Sequence, residues 1–271
     1  MKRFCVLAVL AAVAAAQQPP KIKPGFNLYS KQQDVELGRA AAAEVGKKYQ
    51  TVNDAELSAY IGRIGKRLIA QPQADAASFP YSFTVVSDKS INAFALPGGP
   101  AFVHTGLIVA AENEAQLAGV LAHEISHVAL RHGTHQASKA MGIQLLAGLA
   151  GLGTGGHGLL GQLSQAGLAF GANSVLLKYS RDAEKQADLL GAQIMSGAGY
   201  NPIEMARFFE KLEAGSGGRG SQFFSDHPNP GNRVRYVEDL VRYLPRTDYT
   251  GDSGQFVRMQ QRVQALDRGK S

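Results

Sequence analysis

The sequence has one cysteine, Cys5, among 271 residues. That excludes a disulfide framework and any cysteine-rich structural zinc site. It is also poor in charge, at 18%. The formal net charge is +6, but no run of five basic residues occurs, which excludes nucleic acid as the default partner. There is no Gly-X-Y period and no heptad run, so a fibre is excluded. No 34-residue helical repeat occurs, so no solenoid is attached. No uninterrupted apolar run reaches the ~20 residues that a spanning helix needs. What remains is a chain that is 45% hydrophobic. It is long enough to bury a core without covalent staples.

The first sixteen residues read as an address. Lys2 and Arg3 precede the uncharged run from Phe4 to Ala16, and Ala14 to Ala16 offer a cleavage point before Gln17. A secretory signal over 1–16 implies export to the periplasm or cell envelope. Its removal takes Cys5 with it, so a metal site must be built from histidine and carboxylate. Residues 17–29 hold three prolines and read as an extended linker. The folded domain is expected over 30–271.

Helices are expected after Ser30, after Asn53 or Asp54, from Glu112 to His132, from Arg181 to Met195, from Pro202 to Leu212 and from Asn232 to Tyr243. Between the second and third of these the period changes. Tyr81–Val86, Asn92–Leu96 and Ala101–Thr105 read as strands, with a tight turn at Pro97-Gly-Gly-Pro100. The fold class is therefore α+β, mostly helical, with a small sheet. From Ala140 to Leu177 there is no Asp, Glu, Lys or Arg. Two readings stay open for that stretch: a helical hairpin in or near the core, or a segment that touches a membrane or covers a cleft. Its glycines and glutamines argue against a spanning helix.

The chemistry concentrates at His123-Glu-Ile-Ser-His127. On a helix, residues four apart share a face, so both imidazoles can bind one metal ion. Glu124 leaves the same turn at another angle, which suits a base acting on water rather than a ligand. A catalytic zinc needs a third protein ligand. Glu184, on a later helix, is the candidate. Asp188, one turn on, can fix a ligand histidine's tautomer. His227 or Arg233 can supply a donor to the oxyanion of a tetrahedral intermediate. His132 either lines the site or is solvated.

Together these residues resemble the forty-eighth metallopeptidase family, that of the HtpX, BepA, Oma and CAAX prenyl proteases. The likeness lies in Asn92-Ala-Phe-Ala-Leu-Pro-Gly-Gly99, Thr105-Gly-Leu107, Leu117 to His127 with Arg131-His132, Ser180 to Glu184 with Ala187-Asp188, and His227-Pro228 with Arg233. It covers roughly Ser30 to Leu244. The resemblance implies a gluzincin-like fold with one zinc ion per chain on His123, His127 and Glu184, Glu124 as general base, and Asp188 behind a ligand. It implies that His227 either stabilises the transition state or occupies the zinc's open position in a resting form. It also implies that substrate peptides add as an extra strand along Asn92, Ala93 and Phe94. Relatives with spanning helices or a repeat domain differ from this chain, which looks like a minimal secreted member. The expected function is zinc-dependent endopeptidase action on misfolded or stalled envelope proteins, with peripheral membrane contact through 140–177. The alternative is a chaperone-like binding factor at the membrane whose zinc site is gated and rarely active.

Overall fold

The computed structural model describes residues 19, 21–149, 179–215, 222–245, 248–249 and 252–268. The signal at 1–16 and most of the charge-free stretch, from 150 to 177, lie outside the described residues. The first helix, α1 (Lys31–Lys48), starts at a capping box: Ser30 accepts from the Gln33 amide while the Gln33 side chain accepts from the Ser30 amide. The second, α2 (Ala55–Ile69), is capped by Asp54 and buries Leu57, Ile61, Ile64 and Leu68 along one stripe.

The sheet follows. Strands β1 (Ser82–Val86), β2 (Ala93–Ala95) and β3 (Pro100–His104) lie in the order β1-β3-β2. β1 runs parallel to β3, and β2 runs antiparallel to it with Phe94 opposite Phe102. β2 is thus an edge strand. The Pro97–Pro100 turn that ends it rests on α1 at Gly38. A Cβ there would lie 1.7 Å from the Pro97 carbonyl oxygen, so only glycine permits the approach.

Thr105, expected in a strand, instead opens a short helix, α3 (Thr105–Ala110). Next comes α4 (Glu114–Ala129), capped by Asn113 and buried on every side. The helix expected to run through His132 is in fact two. Leu130 closes α4, Arg131 takes the left-handed conformation at φ 57°, and α5 (His132–Leu149) starts in a new direction. Arg131 tolerates that backbone because its guanidinium is bound twice. It makes a two-point ion pair with buried Asp34 of α1, at 2.5 and 3.1 Å, and donates to the Tyr29 carbonyl at 2.6 Å.

The remaining helices are α6 (Arg181–Gly197), α7 (Ile203–Gly215), α8 (Gln222–Asp226), α9 (Arg233–Val241) and α10 (Phe256–Arg268). Residues 21–29 are extended and docked, not free: Asn27 and Leu28 bond to Thr134 and Ser138 of α5. The main core centres on α4, between α2, α6, α7 and the sheet. A second, smaller cluster joins α1 to the sheet, with Phe94 stacked on Phe102 at 5.2 Å. The mostly helical architecture with one small sheet matches the expected class. Among the described residues no helix is long and apolar enough to cross a membrane.

Candidate metal centre

Two helices build the site by crossing closely. On α6, Glu184, Asp188 and Gly191 recur at helical spacing along one face. Where Gly191 meets α4, an added Cβ would lie 3.2 Å from the His123 amide nitrogen. The missing side chain lets the two backbones approach and brings both carboxylates to the histidines.

The ligand-capable atoms of His123, His127, Glu184 and His227 all lie within 4.8 Å of one another, and all four side chains are buried. His123 Nε2 is 3.0 Å from His127 Nε2 and 3.3 Å from Glu184 Oε2. His227 follows α8, its ring stacked on Phe223 at 4.4 Å, and Phe223 in turn lies on Phe209 of α7. That stack points His227 Nδ1 into the cluster, 3.3 Å from His123 Nε2 and 3.2 Å from Glu184 Oε1.

Glu124 stands beside this group. The Ala95 amide of β2 donates to its Oε2 at 2.9 Å. Its Oε1 is buried with no hydrogen-bond partner among the described residues and lies 3.4 Å from His227 Nε2. On the opposite ring edge of His123, Nδ1 meets Asp188 Oδ1 at 2.9 Å. Asp188 also accepts from the Tyr236 hydroxyl and pairs with Arg233 Nε at 3.1 Å. Arg233 Nη2 lies 3.3 Å from Glu184 Oε2, and the guanidinium sits over the Phe209 ring at 4.4 Å. Arg233 therefore engages the two carboxylates of α6.

The electrostatics fit a cation. Glu124, Glu184 and Asp188 are all buried, and the Arg233 guanidinium pairs with the last two. Carboxylates and imidazoles converging in one buried cluster are a donor set that a divalent ion would suit. Burial alone would lower the basicity of His123, but Asp188 and Glu184 outweigh it and raise its pKa to about 9. Burial pushes Glu124 up, so this carboxyl holds a proton more readily than an exposed one. Glu184 stays well below the usual carboxylate range; burial opposes this, but the surrounding histidines His227, His123 and His127 prevail. Two imidazoles and a carboxylate, all buried, form the donor set of catalytic zinc sites rather than the all-oxygen set of magnesium or calcium.

The strand residues Asn92, Ala93 and Phe94 have buried side chains. Asn92 O and the Leu96 amide bond to β3. By alternation, the amides of Ala93 and Ala95 face the free edge, towards α4. Two contacts were not foreseen. Tyr179 stacks on His127 at 4.0 Å. Tyr236 lies three residues after Arg233 on α9 and reaches the same carboxylate, so helical spacing was an available signal. His132 is buried, its Nδ1 3.0 Å from His127 Nδ1, and burial lowers its pKa to about 4.

A buried His-His-Glu centre with a further buried carboxyl beside it defines a metallopeptidase-type site. Residues 55–241 match peptidase family M48, and the chain belongs to that family. It is 33% identical over 212 residues to the beta-barrel assembly-enhancing protease of Escherichia coli (strain K12), covering 74% of this chain and 42% of that one. It is 34% identical over 184 residues to the mitochondrial metalloendopeptidase OMA1 of Schizosaccharomyces pombe, covering 67% and 52%. With the metalloprotease LoiP of Escherichia coli (strain K12) the figures are 33% over 167 residues, 60% and 63%. The chain thus spans roughly half the length of these curated relatives.

Proposed function

We propose that this chain is a zinc-dependent endopeptidase in which His123, His127 and Glu184 hold the ion and Glu124 is the general base. The observation that carries the reading is the convergence of those three buried ligands beside a carboxylate with one free oxygen. The ion, when bound, supplies Lewis-acid polarisation of the scissile carbonyl and acidifies the attacking water. Oε2 of Glu124 stays on the Ala95 amide, which leaves Oε1 to take the water's proton and pass it to the leaving amine. Asp188 holds the tautomer of His123, and Arg233 keeps Glu184 and Asp188 in place. A substrate strand is read along the outer edge of β2, recognised through the Ala93 backbone and the Ala95 carbonyl, because the Ala95 amide is held by Glu124 and the neighbouring side chains are buried. The test is Glu124→Gln. It should retain one zinc per chain and lose peptide cleavage by about 10²–10⁴-fold. Undiminished cleavage in that variant overturns the mechanism.

One observation favours a gated form of the same site. His227 Nδ1 lies within the ligand set, where a catalytic zinc keeps a position open. In this arrangement His227 would be a fourth ligand. Its Nε2 already lies 3.4 Å from Glu124 Oε1, so a ring whose Nδ1 left the ligand set would have a donor at hand for the oxyanion. A protein held mostly in the closed form would act chiefly as a chaperone-like binding factor.

The physiological setting we infer is the cell envelope, with misfolded or stalled proteins as substrates. The basic-then-apolar leader at 1–16 and the named role of the Escherichia coli relative in beta-barrel assembly support it. The charge-free composition of 140–177 supports peripheral membrane contact.

A further inference from the structure

The two histidines of the centre are backed differently. His123 has a carboxylate behind it. His127 has another imidazole: its Nδ1 lies 3.0 Å from Nδ1 of His132. Two ring nitrogens that close cannot both carry hydrogen, and one must. If His127 binds the ion through Nε2, its own hydrogen is on Nδ1, and His132 Nδ1 must be the acceptor. The hydrogen of His132 is then on Nε2, which faces Gln186 Oε1 at 3.3 Å. Gln186 lies two residues after Glu184 on α6, and Asp188 two residues after that. One helix thus carries a ligand, the outer partner of His123 and the partner of the imidazole that stands behind His127.

We propose that His132 is a positioning residue for the metal ligand His127, and that Gln186 selects the tautomer His132 needs for that task. The inference rests on the ligand reading above. A neutral imidazole has a physical advantage here over the carboxylate used behind His123. The centre already gathers three buried carboxyl groups, Glu124, Glu184 and Asp188, and a neutral partner adds no further negative charge to bury. His132 is buried at 4% exposure, so its acceptor nitrogen has no competing bulk water.

The experiment is a zinc titration against a competing chelator, repeated with cobalt(II) and its visible absorption as a second readout. His132→Leu removes the acceptor and should weaken metal binding about 10- to 100-fold, the usual cost of losing an outer partner. His132→Asn places an amide oxygen where Nδ1 stood and should restore most of that loss. Gln186→Leu, at a half-buried position, should weaken binding several-fold in the wild-type background. It should have no further effect beside His132→Asn, whose acceptor does not depend on a tautomer. Circular dichroism checks folding, and Gln186→Leu carries the test if His132→Leu does not fold. Wild-type affinity in both His132→Leu and Gln186→Leu overturns the proposal, as does an Asn variant no better than the Leu variant. A wild-type chain that binds no zinc overturns the ligand reading itself, which separates the two failures.

Discussion

Ala95 and Glu124 are joined by one hydrogen bond of 2.9 Å, from an edge-strand amide to the carboxylate of the helix behind it. The bond ties the strand proposed to receive substrate to the group proposed as the base. Ala95→Pro removes that N–H without touching the bonds to β3, which the flanking residues make. A hydrogen bond to a charged group contributes about 1.5–3 kcal/mol. The variant should therefore lose about 10- to 100-fold in kcat while its zinc content is unchanged. Steady-state kinetics and metal analysis check it, and an unaltered kcat would show that Glu124 needs no such anchor.

His227 sets a second expectation. Its Nδ1 stands in the ligand set, so His227→Ala should open a coordination position. Cleavage of an unfolded protein such as casein should rise, and zinc should be lost more readily to chelator. A fall in cleavage with zinc retained would instead assign His227 the oxyanion role.

The Arg131–Asp34 pair is a stability element. Asp34 is 2% exposed and pairs with Arg131 at two points. Removing one partner of a buried pair leaves an uncompensated charge, at a cost of about 3–5 kcal/mol. Arg131→Ala should lower the urea midpoint accordingly and free residues 21–29, because the Tyr29 carbonyl loses its donor. Faster proteolysis within 21–29 is the accompanying readout. A midpoint within error of wild type would place the α4–α5 junction elsewhere in the folding energetics.

His104 gives the chain a pH-dependent contribution away from the metal centre. It is fully buried at the end of β3, against Tyr49 and Phe94 and beside Asp88 and Ser90. Burial lowers its pKa and outweighs the attraction of Asp88. The unfolded chain binds the proton more readily, so this group's contribution is fully present above the unfolded value of about 6.5. It is lost as pH falls below that value, by at most about 1.4 kcal/mol per pH unit. His104→Asn should show a shallower decline in urea stability between pH 7 and 5 than wild type; equal slopes would contradict the assignment.

The helices that carry the centre were legible because caps and periodicity agree. Ser180 and Asp54 each stand one residue before a helix with an apolar stripe, and Asn113 stands before one buried all round. The His-Glu-x-x-His spacing placed two imidazoles on one face before any tertiary contact was known. α10 was not legible: among its described side chains only Phe256, Met259 and Val263 are buried, and its other positions are mostly polar. The break at Arg131 was equally hidden. Nothing local demands a left-handed arginine; Asp34, 97 residues away, supports it.

The sequence by itself determined which residues could form a metal centre, because a helix's period is a local property. Which of the outlying candidates join that centre, and how, was decided by packing. Glycine at 191 lets α6 come close enough for Glu184 and Asp188 to reach the histidines. The Phe209–Phe223 stack turns His227 into the cluster, and the same phenylalanine holds Arg233 against the carboxylates. His132 could have been solvated or lining the site on sequence grounds. Its burial against His127 depends on where α5 starts, and that is fixed by a contact no local pattern encodes.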